Sequence, residues 1–132
     1  MKSIHSTENQ EHFGEELASI VEPIMPEVTL FQNEPVLITK CYPFTLHDLI
    51  QNGKNNVSDM QWIHFFKRLL KAVSFLHSKG IYHRDLKPNN IMVDVEEAGG
   101  NGKYRPVIID FGFVNKPLGP NGTPGYLAPE AY

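Results

Sequence analysis

Residues 83–90 read His-Arg-Asp-Leu-Lys-Pro-Asn-Asn, and this stretch decides how the rest of the chain is interpreted. It brings a carboxylate, an ammonium group and an amide close together in Asp85, Lys87 and Asn90. The apolar residues 91–93 follow at once and read as a short β-strand. A short buried strand beside a polar loop can hold such groups rigidly. The stretch therefore predicts a site with fixed polar groups.

Two further motifs lie downstream. Residues 110–112 read Asp-Phe-Gly and follow a second apolar strand at 107–109, while residues 122–130 read Gly-Thr-Pro-Gly-Tyr-Leu-Ala-Pro-Glu. Asp110 lies 20 residues after Asn90, and Glu130 lies 20 residues after Asp110. An isolated Asp-Phe-Gly is most often a turn, and an isolated histidine such as His83 is most often packed in a core. The order and spacing of all three motifs are much more specific.

Together the three motifs resemble the catalytic centre of the serine/threonine protein kinases. The resemblance implies an α+β, protein-kinase-like fold that is present only in part. We expect a flexible N-terminus at residues 1–12 and a partial kinase domain at 13–132. Within that domain, the N-lobe remnant covers 13–39, the hinge 38–42 and the first part of the mainly helical C-lobe 43–132.

The resemblance also implies a reaction, the transfer of the ATP γ-phosphate to a Ser or Thr hydroxyl of a protein substrate. Because the transferred group is strongly anionic, this catalysis is mostly positioning and charge neutralisation. By resemblance, Asp85 accepts or orients the hydroxyl proton, Lys87 places positive charge near the phosphate, and Thr123 hydrogen-bonds the Asp85–Lys87 region. Asn90 and Asp110 would hold Mg²⁺, which prefers oxygen ligands. A lysine at position 87 marks the serine/threonine branch.

The hinge would bind the adenine of ATP through its backbone. The nucleotide-binding residues implied in this way are Ile38, Thr39, Lys40, Cys41, Tyr42, Lys87, Asn90 and Asp110. Either Ile38 or Thr39 guards the back of the pocket, depending on the position of one gap. Glu15 or Glu16 stands where the family has a helical glutamate, although an ordinary glutamate near a helix N-terminus fits equally well.

Outside the motifs, the clearest element is a helix at residues 58–77. Ser58 and Gln61 match a capping box, and Gly80 is a suitable C-terminal stop. Apolar residues at three-and-four spacing predict one buried face, made of Met60, Ile63, Phe66, Leu69, Leu70, Val73 and Leu76.

Shorter elements are predicted from local patterns. A helix is expected at 13–21, and a second helical stretch at 45–50. Residues 28–31 and 36–39 read as an antiparallel strand pair joined by the turn-like Gln-Asn-Glu-Pro at 32–35.

The composition limits the kinds of partner and the cellular location that we expect. The 132 residues carry a net charge of −3, which gives no electrostatic argument for nucleic acid or an anionic membrane as a partner. No apolar run approaches the roughly 18 residues of a membrane span. The single cysteine, Cys41, excludes an intramolecular disulfide. We therefore expect an intracellular protein, cytoplasmic or nuclear.

The chain also departs from the family pattern. It has no Gly-x-Gly-x-x-Gly loop and no Val-Ala-Ile-Lys-type strand, and it is about half as long as the family's domain. We therefore expect a fragment with little activity alone, whose open apolar faces favour a partner. The alternative function is a non-catalytic, kinase-derived binding or regulatory module. A small-molecule phosphotransferase is a third option, against which Lys87 and the docking loop at 122–130 argue.

A second departure concerns regulation. Arg84 precedes Asp85, an arrangement that allows a phosphorylated loop to order the site through an Arg–phosphate contact. Residues 113–122, however, read Phe-Val-Asn-Lys-Pro-Leu-Gly-Pro-Asn-Gly and contain no Ser, Thr or Tyr. We hypothesise that phosphorylation inside this loop is not the switch.

Overall fold

The computed structural model describes residues 29–36, 38–52, 56–97, 103–114, 116 and 121–131. The expected N-terminal segment at 1–12, the helix at 13–21 and the glutamates Glu15 and Glu16 lie outside these residues. In chain order the elements are β1 (Thr29–Phe31), β2 (Glu34–Val36), β3 (Phe44–Thr45), α1 (Leu46–Asn52), α2 (Asp59–Ser78), a 3-10 turn (Pro88–Asn90), β4 (Ile91–Val95), β5 (Tyr104–Ile108) and a second 3-10 turn (Pro129–Ala131).

Strands β1 and β2 form an antiparallel hairpin, as the sequence pattern predicted, with Phe31 opposite Glu34. The turn is shorter than expected: it consists of Gln32 and Asn33, with φ angles of 51° and 68°. Two central residues with positive φ suit a hairpin because such a turn follows the right-handed twist of the strands. The second strand therefore begins at Glu34, two residues before the predicted start.

Helix α2 has the predicted start and stop. The Oγ of Ser58 accepts a hydrogen bond from the Gln61 amide at 3.3 Å, and Gln61 Oε1 accepts one from the Ser58 amide at 2.9 Å. This capping box satisfies two backbone donors that the first turn leaves without helical partners. Gly80, with φ 72°, follows the C-terminal end. Of the helices in the described part of the chain, none has the length and apolar character needed to cross a membrane.

The predicted buried face of α2 is only partly correct. The most buried side chains are Phe65 and Ala72, each 1% exposed, and Leu76. Leu69 and Val73 pack at the edge of the core. The other four predicted core residues are between 43% and 68% exposed, namely Met60, Ile63, Phe66 and Leu70. The apolar arc of the helix is wider than the side that β5 and its neighbours cover, so these four residues stay open.

Strands β3, β4 and β5 form an antiparallel sheet in that order. Ile91 pairs with Ile108, and Val95 with Tyr104. Both long strands run beyond the predicted bounds: β4 continues to Val95, and β5 begins at Tyr104 and ends one residue before Ile109. The predicted helical stretch is α1, but Thr45 belongs to β3 and the helix extends to Asn52.

Two apolar clusters lie between this sheet and the helices. The first joins α1, the N-terminal half of α2 and β4 through Leu49, Phe65 and Val93. The second joins the C-terminal half of α2 to β5, and Leu86 and Phe111 pack against it. Each of these two residues belongs to one of the polar motifs. The loops that carry the site are therefore anchored in the same core as the helix.

Candidate active site

The centre of the site is a hydrogen-bonded group of Asp85, Thr123 and Lys87. The Thr123 hydroxyl donates to Asp85 Oδ1 at 2.6 Å and accepts from Lys87 Nζ at 2.7 Å. Lys87 Nζ also lies 3.7 Å from Asp85 Oδ2. The contact predicted between Thr123 and the Asp85–Lys87 region is thus present. A positive charge and a hydroxyl donor together stabilise a carboxylate that the fold buries.

Asn90 holds the other side of the same carboxylate. Its Nδ2 donates to the Asp85 backbone oxygen at 2.9 Å and to Asp85 Oδ2 at 3.0 Å. Asn90 is itself buried, at the end of the 3-10 turn that leads into β4. Because the amide nitrogen is directed at Asp85, the amide oxygen is the atom of this side chain that can serve a cation.

His83 links the first motif to the second. Its Nδ1 accepts from the Asp85 amide at 3.2 Å, so the proton lies on Nε2, which donates to the Ile109 carbonyl at 2.7 Å. The ring is 2% exposed and packs edge-to-face on Phe111, with 4.9 Å between the ring centres. His83 is therefore a packed residue that positions the residues on either side of it.

Asp110 follows β5, and the residue before it contacts Asn90. The Ile109 amide donates to the Asn90 carbonyl at 3.1 Å, which ties the two motifs together through the backbone. The Asp110 side chain is exposed, its Oδ1 accepts from the Gly112 amide at 3.2 Å, and its φ is 60°. A non-glycine residue in this region of φ persists where its surroundings impose it, often at functional sites.

The donor atoms here suit Mg²⁺. The Asp110 carboxylate and the Asn90 amide oxygen are hard oxygen donors of the kind that Mg²⁺ takes in small number, with phosphate oxygens and water completing its shell. Within the described residues, no three His, Cys, Asp or Glu side chains converge as a metal cluster. A magnesium ion at this position would therefore take phosphate or water oxygens as its other ligands.

The five residues predicted to form the hinge lie between β2 and β3. Ile38 and Cys41 are exposed, Thr39 is half-buried and Tyr42 is buried. Lys40 Nζ lies 5.3 Å from the centre of the Tyr42 ring. These observations concern the exposure and contacts of the segment itself. That its backbone binds adenine stays a prediction.

An ion-pair network beside the hinge was missed by the sequence analysis. Asp94 of β4 accepts from Lys40 at 2.9 Å and also binds Arg105 of β5, while Glu96 pairs with Arg68 of α2 at 3.2 Å. Burial raises the pKa of Asp94, but the hydrogen bonds and charges of Lys40 and Arg105 outweigh it and hold the pKa below its ordinary value. Asp94 and Arg105 are cross-strand neighbours, so the β4–β5 register was the missing signal.

The predicted docking loop returns the chain to the site. Gly122 has φ 141°, and the Tyr126 amide donates to the Thr123 carbonyl at 3.1 Å. Tyr126 is exposed, and the loop ends in the 3-10 turn Pro129–Ala131. The loop therefore places Thr123 against Asp85 and leaves Tyr126 exposed.

The sequence model of the protein kinase domain matches residues 16–132 of the chain. The chain belongs to the protein kinase domain family. The α+β, kinase-like fold implied by the three motifs is thereby confirmed, whereas the domain bounds within it stay predictions.

Two relatives of this chain are named protein kinases. It is 41% identical over 75 residues to CBL-interacting protein kinase 20 of Oryza sativa subsp. japonica, covering 50% of this chain and 16% of that protein. It is 39% identical over 104 residues to the human phosphorylase b kinase gamma catalytic chain, liver/testis isoform. That match covers 67% of this chain and 24% of the human protein. The chain thus spans less than a quarter of the length of either relative.

A solved structure shares the fold. A chain in the crystal structure of the yeast RNA Pol II CTD kinase CTDK-1 complex is similar with a TM-score of 0.57 and 29% sequence identity. The match covers 74% of this kinase chain and 32% of the other.

Proposed function

We propose that this chain carries the catalytic centre of a serine/threonine protein kinase, which transfers the ATP γ-phosphate to a protein hydroxyl with Mg²⁺. The observation that carries the proposal is the hydrogen-bonded group of Asp85, Thr123 and Lys87. A carboxylate, a hydroxyl and an ammonium group held together in this way suit a reaction that moves one proton and neutralises phosphate charge.

In the proposed reaction, Asp85 orients the substrate hydroxyl and takes up its proton. Asn90 binds Asp85 Oδ2 and Thr123 binds Oδ1, so both oxygens are held before the substrate arrives. Groups that are already oriented need little reorganisation as charge develops, which is the main source of catalysis in such sites. Lys87 supplies positive charge to the phosphoryl oxygens once substrate is bound.

The magnesium site would be formed by Asp110 and the Asn90 amide oxygen. When bound with ATP, Mg²⁺ neutralises phosphate charge and aligns the phosphate groups. The Ile109 amide, one residue before Asp110, donates to the Asn90 carbonyl at 3.1 Å and so holds the backbone of the two motifs together. The protein would therefore contribute to metal binding by holding Asn90 and Asp110 in fixed positions.

A protein is the proposed substrate class. The loop at residues 122–130 carries Thr123, which bonds Asp85, and the exposed Tyr126, whose amide bonds the Thr123 carbonyl. A small substrate has no need of such a platform, whereas an extended peptide can lie along it. We propose an intracellular setting, cytoplasmic or nuclear, which the single cysteine of the chain supports.

The nucleotide part of the proposal is tested by thermal melts with and without millimolar Mg·ATP. A ligand that binds only the folded state raises the melting temperature. We expect a rise for the wild type that Asp110→Asn abolishes, while Glu97→Gln, which removes an exposed carboxylate elsewhere, keeps it. A cooperative melt of the wild type with no response to Mg·ATP would contradict the proposed nucleotide site.

Phosphate transfer is tested separately with labelled ATP and a mixture of Ser- and Thr-containing peptides. The 132 residues contain no Gly-x-Gly-x-x-Gly loop to cover the phosphates. We therefore expect little or no transfer by this chain alone. Transfer that disappears in Asp85→Asn would overturn that expectation and would support the role of Asp85 directly.

A further inference from the structure

Asp94 of β4 joins the predicted hinge at residues 38–42 to the sheet. Its Oδ2 accepts a hydrogen bond of 2.9 Å from Lys40 Nζ, which comes from a residue 54 positions earlier in the chain. The same oxygen binds Arg105, the residue opposite Asp94 on β5. One carboxylate therefore connects the hinge segment to the hairpin that carries the proposed site.

The two cations bound to Asp94 differ in how firmly the fold holds them. The Arg105 side chain is 19% exposed and also lies 3.7 Å from Glu96, whose carboxylate binds Arg68 of α2. The Lys40 side chain is 51% exposed, whereas that of Asp94 is 14% exposed. Arg105 thus holds Asp94 within the sheet whether or not Lys40 is bound, and Asp94 is a fixed anchor for Lys40.

The Lys40 contact affects the position of the hinge segment more than the stability of the fold. A half-exposed ion pair adds little to folding, because water and salt screen its charges. Lys40 Nζ also lies 5.3 Å from the centre of the buried Tyr42 ring, so a carboxylate and an aromatic ring both hold the ammonium group. Ile38 and Cys41 are exposed and do not anchor the segment in the core. Breaking the Lys40 contact should therefore release the segment and leave the core intact.

The strand that binds Lys40 also begins at the proposed magnesium site. β4 covers Ile91–Val95 and follows Asn90 directly, so Asn90 and Asp94 lie on one continuous stretch of chain. Adenine and the phosphates are opposite ends of one nucleotide, and a protein that binds both must hold the two sites at a fixed separation. The Lys40–Asp94 pair connects the predicted adenine-binding backbone to the strand that starts at Asn90.

We propose that the Lys40 side chain is a positioning residue for the nucleotide. By binding Asp94, it holds the backbone of residues 38–42 in place for adenine while Asn90 and Asp110 hold the metal. The inference rests on the proposed function, because it takes residues 38–42 as the adenine site. It assigns the ammonium group of Lys40 to contacts within the protein and leaves the backbone of the segment to the ligand.

Three probes separate the two ends of the nucleotide, namely adenosine, Mg·pyrophosphate and Mg·ATP. Titration of the 132-residue chain, followed through its backbone amide NMR shifts, measures each affinity even when binding is weak. In Lys40→Gln we expect the affinities for adenosine and Mg·ATP to fall about two- to fivefold, the factor that a half-exposed ion pair can contribute. The affinity for Mg·pyrophosphate should stay unchanged. Lys40→Arg, which keeps a cation, should restore most of the loss.

Two further variants show whether the effect comes from the ion pair. Lys67→Gln is the matched control, since it removes the same charge from an exposed lysine of α2 and should leave adenosine binding unchanged. Asp94→Asn should weaken adenosine binding as Lys40→Gln does. The double variant should bind adenosine no more weakly than the weaker single variant, because both substitutions remove one contact.

The results that would overturn the inference differ from those that would overturn the proposed function. Unchanged adenosine binding in Lys40→Gln, with both probes bound by the wild type, contradicts the role of Lys40 alone. Equal losses for adenosine and Mg·pyrophosphate would show a general effect on the fold and also contradict that role. A wild-type chain that binds neither probe contradicts the proposed nucleotide site, and the inference falls with it.

Discussion

The two hairpins, β1–β2 and β4–β5, have equally regular antiparallel registers but different relations to the core. In the first, Leu30 and Phe31 are 63% and 64% exposed, and none of its described side chains belongs to a buried cluster. In the second, Val93, Val107 and Ile108 are fully buried. An isolated two-stranded hairpin is marginal in water. Backbone pairing alone is thus a poor guide to stability, and the site depends on the hairpin that the helices cover.

The strongest test of this difference removes one phenylalanine from the core that packs on the second hairpin and one from the first hairpin. Phe65, 1% exposed beneath β4, is replaced by alanine, and so is the exposed Phe31 of β1. We expect Phe65→Ala to lower the free energy of unfolding by about 3–5 kcal/mol, because a cavity forms in the core. Phe31→Ala should change it by less than about 0.5 kcal/mol. Urea denaturation followed by circular dichroism measures both, and similar losses would refute the comparison.

The next test introduces a steric clash at Gly122, in the loop that carries Thr123. In Gly122→Ala the new Cβ would clash with Leu127 Cδ2 and lie 2.8 Å from the Arg84 carbonyl. We expect a loss of about 1–3 kcal/mol from overpacking, together with loss of the Thr123–Asp85 contact.

Gly80→Ala is the control for this substitution. Gly80 also has positive φ, but its added Cβ meets nothing within 4 Å. The loss of stability in Gly80→Ala therefore comes from the backbone conformation and not from a steric clash. Chemical denaturation and exchange at Tyr126 compare the two variants. Equal effects would mean that space at Gly122 does not matter.

A charge substitution next compares the two regions as a function of pH. Asp94→Asn should cost about 1–2 kcal/mol at neutral pH, because Lys40 and Arg105 lose their carboxylate. The pKa of Asp94 is held below its ordinary value of 3.8, so the ion pairs contribute fully above that value. Their contribution is lost as the pH falls through the lowered pKa of the folded state.

The difference between wild type and Asp94→Asn should therefore be largest near neutral pH and vanish in strong acid. Unfolding curves collected across this range test the expectation. Glu34→Gln, on the exposed hairpin, should stay within about 0.5 kcal/mol of the wild type at neutral pH. A difference that persists unchanged into acid would contradict the assignment to Asp94.

The smallest effect is expected from improving the exposed hairpin. Asn33 has φ 68° at the second turn position, where glycine is preferred, so Asn33→Gly should stabilise the turn by a few tenths of a kcal/mol. Slower amide exchange in β1 and β2 would report this gain. Global unfolding should not change measurably, since the hairpin opens without disturbing the core. A clear rise in global stability would show that β1–β2 and the core unfold as one unit.

The contacts among Asp85, Lys87, Asn90 and Thr123 followed more closely from the sequence than the burial of the α2 surface did. Asp85, Lys87 and Asn90 lie in one short loop, so their proximity follows from local spacing. Thr123 lies 36 residues beyond Lys87, and its contact was predicted only because the motif order resembled a family. The capping box of α2 was also readable, because Ser58 and Gln61 interact within a single turn.

Other features depend on geometry that a residue pattern does not encode. The apolar spacing of α2 identifies residues that share a face, but not how much of that face another element covers, so Ile63 and Leu70 were wrongly assigned to the core. The Asp94–Arg105 pair needed the strand register. Arg84 Nη1 donates a hydrogen bond to the Lys116 carbonyl at 2.6 Å. Because every residue has a backbone carbonyl, the sequence does not identify this acceptor.

The β4–β5 hairpin has one further consequence, for tolerance to insertion. Asn90 and Asp110 flank its site end, where the Ile109 amide binds the Asn90 carbonyl at 3.1 Å, while the Glu96 amide closes the opposite end on the Lys103 carbonyl at 2.8 Å. Residues added between 96 and 103 would enter the chain beyond the Glu96–Lys103 bond, at the end of the hairpin opposite the site, and each doubling of loop length costs only about 0.6 kcal/mol. That connection is therefore a place where evolution or an engineer can insert sequence while Asn90 and Asp110 keep their spacing.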